Sequence, residues 1–192
     1  MQKFEYEKSD VCNELYNRML GKSIPNEYIN DVNIHKLSYI RLSHFGFDNN
    51  VHIGEIIISK DVETDVINIF KELFEIKYKI EKIKLIDDYN GDDNASMADN
   101  NSSAFNYRKV PFKEVLSNHA KGIAIDINPL YNPYIVGEEV LPTNGIKYVD
   151  RSKEDFRFIK KNDDIYSIFK KYGWSWGGEW THAKDYQHFE KI

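Results

Sequence analysis

The chain has 192 residues, 41% of them hydrophobic, enough for one ordinary domain with its own core. A formal net charge of -5 leaves no basic excess to displace counterions, which argues against a nucleic-acid partner. The single cysteine, Cys12, rules out an intramolecular disulfide, and no apolar run approaches the roughly 20 residues a membrane span needs.

The opening "MQKFEYEKSD" lacks the apolar stretch of a signal peptide. The expected address is the cell envelope or exterior if a leader has been removed, and the cytoplasm otherwise. "VCNELYNRML" reads as a short amphipathic helix in which Cys12 packs as a small hydrophobe. Residues 1–36 are expected to form an N-terminal helical extension, turn-rich toward "GKSIPNEYIN", ahead of a domain over 37–192. "KLSYIRLSHFGF" alternates in the manner of a strand, and "VHIGEIIIS" is its hairpin partner across "DNN". His35, His44 and His52 lie on or beside this hairpin as surface or packing residues.

From Asp61 to Ile76 the period changes: Val62, Val66, Ile69, Phe70, Leu73 and Phe74 recur at helical spacing. "YKIEKIKLIDDY" follows as a strand with Ile80, Ile83 and Leu85 toward the core. "NGDDNASMADNNSSAFNYR" is too polar for a regular element and reads as a long loop ending in Arg108. "GIAIDINP" is a strand stopped by Pro129, with Ile123, Ile125 and Ile127 facing the core. Its other face, Gly122 and Ala124, is expected to leave open space beneath Asp126. After a Pro-bearing excursion, "KNDDIYSIFKKYG" reads as a capped helix, and the chain closes in the aromatic-rich "WSWGGEWTHAKDYQHFEKI".

His119, Asp126 and His188 are the residues with metal-ligand chemistry in suggestive surroundings, since a catalytic zinc needs only three protein ligands and an open position. Asp185, three positions before His188, places a second carboxylate where it can take a proton from water in metal-assisted hydrolysis. Spacing also allows a plainer reading: His119 as a loop residue, Asp126 as a turn cap, His188 as a polar residue on an edge strand.

"SNHAKGIAIDINP" resembles the S-x-H-x-x-G-x-A-x-D motif of the zinc D-Ala-D-Ala metallopeptidases (peptidase family M15), which include vancomycin-resistance dipeptidases and carboxypeptidases and several phage endolysins. "DYQHFE" is similar to the second motif of that family, "NNSSAFNYR" to the segment supplying its substrate-side arginine, and "WSWGGEW" to the run before the second motif. The likeness spans roughly Leu37 to the C-terminus. It implies His119, Asp126 and His188 as ligands of one Zn²⁺, Asp185 as general base, Arg108 as the group facing the developing oxyanion, and Ser117 as a substrate-binding or loop-supporting residue. Gln187 departs from the pattern, standing where many relatives carry Trp or Pro, and this leaves the substrate subclass open.

Among the neighbours, His182 is expected at the rim, Glu179 is the rival for the base, and Trp174, Trp176 and Trp180 serve either a cleft or the core. The resemblance implies an α+β fold of the hedgehog/D-Ala-D-Ala peptidase type, a small antiparallel sheet with the zinc site on one face and helices on the other. The implied activity is hydrolysis of peptidoglycan stem peptides by a D-alanyl-D-alanine carboxypeptidase. The alternatives are an L-alanyl-D-glutamate endopeptidase and, in another class, a catalytically silent zinc-bearing binding module.

Overall fold

The computed structural model describes residues 2–192. In chain order the elements are β1 (Tyr6–Asp10), α1 (Asn13–Met19), β2 (Leu37–Phe45), β3 (Val51–Ser59), α2 (Glu63–Glu75), β4 (Lys82–Ile83), α3 (Asp93–Ala98) and β5 (Asn101–Ser102). They continue as β6 (Ala124–Asp126), β7 (Tyr134–Val136), β8 (Glu139–Leu141), α4 (Asp164–Lys171), β9 (Ser175–Trp176), β10 (Lys184–Asp185) and β11 (His188–Glu190), with short 3-10 turns between. The architecture is mixed α/β with small antiparallel sheets: β1-β2-β3, β10-β7-β8 and β6-β11-β9, plus a parallel β4-β5 pair.

The β2-β3 hairpin is the organising element because alternation lets it bury both faces. Ile40, Leu42, Ile56 and Ile58 point into the main core with the apolar stripe of α2, with Ile165, Ile168 and Phe169 of α4, and with Ile125, Ile127 and Phe189. Leu37 and Ile57 point the other way, into a second cluster with Leu15 and Met19 of α1, Ile24, Leu85 and Phe105. Residues expected to be a helical extension thus hold a strand, β1, paired antiparallel to β2; among the described residues of that segment the one α-helix is Asn13–Met19, followed by 3-10 turns at Asn26–Tyr28 and Ile34–Lys36. Cys12 is exposed rather than packed, since it sits just ahead of α1 while Val11 and Leu15 take the buried positions.

Two further expectations are corrected. The strand expected over 78–89 contracts to β4, and a 3-10 turn over Ile86–Tyr89 follows, although Ile80, Ile83 and Leu85 are buried as expected. The polar run after it is not a loose loop: it forms α3 and β5, and Asn100, Asn101, Ser102 and Ser103 are buried. Side-chain amides explain this, because they supply hydrogen bonds where the ladder is irregular. Asn101 accepts from Lys84 N (2.8 Å) and donates to Lys84 O (3.1 Å), and Asn128 clamps Glu81 N and Lys79 O in the same way. Among the described residues no helix is long and apolar enough to cross a membrane.

Candidate metal and catalytic centre

Strands β6 and β11 pair antiparallel with His188 opposite Asp126, Phe189 opposite Ile125 and Glu190 opposite Ala124. Period-two alternation then sorts the pair into two faces. Ile125 and Phe189 enter the core, where Phe189 stacks on Phe169 of α4 at 3.9 Å, while Asp126, His188 and Glu190 share the other face.

His119 reaches this face from a 3-10 turn, Asn118–Lys121, whose first N–H groups are capped by Ser117: its Oγ accepts from His119 N at 3.2 Å. The turn ends at Gly122, in the left-handed region at φ +69°, where a Cβ would lie 2.7 Å from the backbone nitrogen of Ser59. Only glycine fits there. The expected open space beneath Asp126 is therefore not found, because Gly122 is packed against the end of β3 and Ala124 is fully buried. The opening lies elsewhere, in a cleft of about 380 Å³ between the strand face, the 109–116 loop and the Trp180–His182 segment.

One ligand atom from each of His119, Asp126 and His188 lies within 4.8 Å of the others, and all three residues are buried. His119 Nε2 is 3.2 Å from His188 Nδ1 and 3.2 Å from Asp126 Oδ2, and His188 Nδ1 is 3.0 Å from Asp126 Oδ1. The far nitrogens are both engaged: His119 Nδ1–H donates to the Ala104 carbonyl at 2.5 Å, and His188 Nε2–H donates to Glu190 at 3.2 Å. A carbonyl can only accept, so His119 carries its proton on Nδ1 and turns the lone pair of Nε2 inward. Two imidazole nitrogens and a carboxylate aimed at one point need a positive charge between them, and a divalent cation of the zinc type suits this N, N, O donor set.

Burial by itself would raise Asp126, but His119 and His188 hold it far below the usual carboxylate range. Burial would likewise lower His188, yet Asp126 and Glu190 raise it to about 10. The two shifts are the two sides of one attraction: the imidazoles favour the ionised carboxylate, and the carboxylates favour the protonated His188 imidazole.

Asp185 lies on β10 beside the cluster. As a residue it is half-buried, but its Oδ1 is shut off from solvent and has no hydrogen-bond partner among the described residues. Burial, reinforced by Asp126, raises its carboxyl to about 7, against the opposing pull of His188 and Arg108. Its approach depends on Gly177, where a Cβ would lie 2.7 Å from both Asp185 Cβ and Asp185 O. Arg108 enters the cleft shortly after the buried 101–106 segment; its Nη2 pairs with Asp93 Oδ2 at 2.9 Å and its Nε is buried without a partner among the described residues. Gln187 Oε1 is likewise enclosed and unpartnered among them. Of the enclosed side-chain atoms without a partner among the described residues, those of Arg108, Asp185 and Gln187 line this cleft, whereas those of Tyr78, Asn106 and Trp174 lie outside it.

The remaining residues separate cleanly. Glu179 is turned toward Tyr166, Lys161 and Lys170. Trp174 and Trp176 belong to the core, whereas Trp180 stands 5.4 Å from the His188 ring and stacks with His182 along the cleft wall. His44 is buried, its Nδ1 against the Ile80 carbonyl. Sequence reasoning missed Asp93 and Glu190; for Glu190, its place two residues after His188 on a strand was the available signal.

Comparison with known proteins adds a family. Residues 112–191 match the family model described as D-alanyl-D-alanine carboxypeptidase. Neither the curated proteins nor the solved structures contain a significant match to the chain. The matched segment holds His119, Asp126, Asp185 and His188, so over residues 112–191 the chain is similar to the M15 peptidases of D-alanyl-D-alanine carboxypeptidase type.

Proposed function

We propose that the protein is a zinc-dependent peptidase acting on peptidoglycan stem peptides, and that its reaction is that of a D-alanyl-D-alanine carboxypeptidase. The observation that carries this reading is the convergence of His119 Nε2, Asp126 and His188 Nδ1, with both far imidazole nitrogens anchored, beside the enclosed carboxyl of Asp185. His119, Asp126 and His188 would hold the ion. Zinc bound there supplies a Lewis acid that polarises the scissile carbonyl and acidifies a water.

Asp185 takes a proton from the attacking water as its oxygen bonds to the carbonyl carbon, and returns a proton to the amine as the C–N bond breaks. Arg108 lines the same cleft and faces the carbonyl oxygen as it gains charge, with Asp93 fixing its guanidinium. Ser117 holds the turn that carries His119 and forms part of the cleft wall. On this reading the ion sits on the face of β6 and β11 opposite the core.

Purified protein is to be incubated with muropeptides, with and without a chelator, and the products weighed. Chelator-sensitive loss of a single terminal alanine is the expected result. Release between L-alanine and D-glutamate would reassign the enzyme as an endopeptidase, and no product with any divalent metal would leave a zinc-bearing binding module. Asp185→Asn should lower hydrolysis by about 10²–10⁴-fold with zinc content unchanged.

A further inference from the structure

We propose that Glu190 is a positioning residue of the metal centre, which fixes the tautomer of His188 and ties together the two segments that carry the histidines. The inference rests on the zinc reading above.

Glu190 stands two residues after His188 on β11 and so shares its face. One oxygen, Oε2, accepts from His188 Nε2 at 3.2 Å and from Asn118 Nδ2 at 2.7 Å. Asn118 opens the 3-10 turn and immediately precedes His119, and its carbonyl accepts from Ile123 N at 3.1 Å, which closes the turn onto β6. A single carboxylate oxygen therefore bridges the strand bearing one ligand and the turn bearing the other.

The carboxylate is buried, and among the described residues its sole ion-pair partner is His188. Burying a charge without a lysine or arginine is unfavourable for the fold alone. The arrangement gains its value at the imidazole: an acceptor on Nε2 places the proton there and leaves Nδ1 as the ligating atom, and the negative charge makes that atom a stronger donor. Asn118 keeps the carboxylate from rotating away, while its own Oδ1 accepts from Lys121 Nζ at 3.0 Å.

The test measures zinc affinity of the full chain by chelator competition, using metal-stripped wild type, Glu190→Ala, Glu190→Gln and Asn118→Ala. Glu190→Ala should weaken zinc by about 10–100-fold. Glu190→Gln keeps an acceptor oxygen but loses the charge, and should fall between it and wild type; Asn118→Ala should also weaken zinc, by less than Glu190→Ala. Cobalt-loaded Glu190→Ala should show altered visible absorption bands. If Glu190→Ala does not fold, the Gln variant decides. Glu190 variants that fold and bind zinc within twofold of a zinc-binding wild type would overturn the inference alone. A wild type that binds no zinc would overturn the metal reading beneath it.

Discussion

At the carboxyl of Asp185 two influences push upward and three pull down, the weakest of them the Gln187 side chain. Burial and the nearby Asp126 disfavour ionisation, while His188 and Arg108 favour it, and the balance lies at about 7. In the proposed role of general base this carboxyl works deprotonated, so activity is expected above that value and falls as the pH drops through it. The expected profile of kcat/KM against pH has an acid limb near 7 with a slope of one. Removing a cation that favours the carboxylate must raise the limb, so Arg108→Gln should shift it to higher pH as well as lower the rate. A limb that stays put or moves to lower pH in that variant would contradict the pairing of these two residues.

Two glycines set the geometry of the elements around the centre. Gly122 ends the turn after His119 with a positive φ, against the Ser59 backbone, and Gly177 lets the 3-10 turn Gly177–Glu179 lie against Asp185. In both places the colliding atoms include main chain, which a side-chain rotation cannot relieve. Gly122→Ala should therefore destabilise the protein by about 2 kcal/mol, read from the urea midpoint. Gly177→Ala should act on the site, lowering kcat by at least about tenfold through displacement of Asp185, with zinc content retained. Lys184 strengthens this view of the turn, since its Nζ donates to the carbonyls of Gly178 (3.1 Å) and Trp180 (2.7 Å). Equal kcat in the Gly177 variant would show that the contact is dispensable.

Over the whole molecule, the cluster joins β6, β11 and the 118–121 turn, and that turn is held to the end of β3 by Ser59 N donating to Gly122 O at 2.7 Å, so a bound ion should stabilise the fold as a whole. An ion at 100 times its Kd contributes about 2.7 kcal/mol, which corresponds to a fall in Tm of about 5–10 °C on chelation for a chain of this size. An unchanged Tm after chelation, monitored by calorimetry, would speak against a resident ion. A second global effect comes from His44, buried in β2 and lowered to about 4 chiefly by that burial. Its neutral form is the one the fold holds, so its contribution is complete above the unfolded value of about 6.5 and is lost as the pH falls from there toward 4. The shift corresponds to about 3 kcal/mol. His44→Gln should flatten the stability curve across that window in urea melts; an equally steep curve would exclude His44 as its source.

Much of this molecule was legible from pattern alone. The β2-β3 hairpin, α2 and α4 follow from periodicity because each buries a regular apolar stripe. The candidate residues His119, Asp126, Asp185, His188 and Arg108 were legible through ordered motifs that resemble a known family. Only the tertiary structure decided what those residues face. The register that sets His188 opposite Asp126, the Ala104 carbonyl behind His119, and the Glu190–Asn118 bridge join positions from 62 to 72 apart or, for Ala104, 15 apart, and no local spacing encodes them. The polar run around Asn101 misled for the same reason: composition marks it as solvated, but the Asn101 amide is consumed by the backbone of Lys84, 17 positions away just past β4. Local sequence dictates periodicity and caps, whereas long-range pairing decides which polar groups are enclosed, and enclosure is what turns these carboxylates and imidazoles into a site.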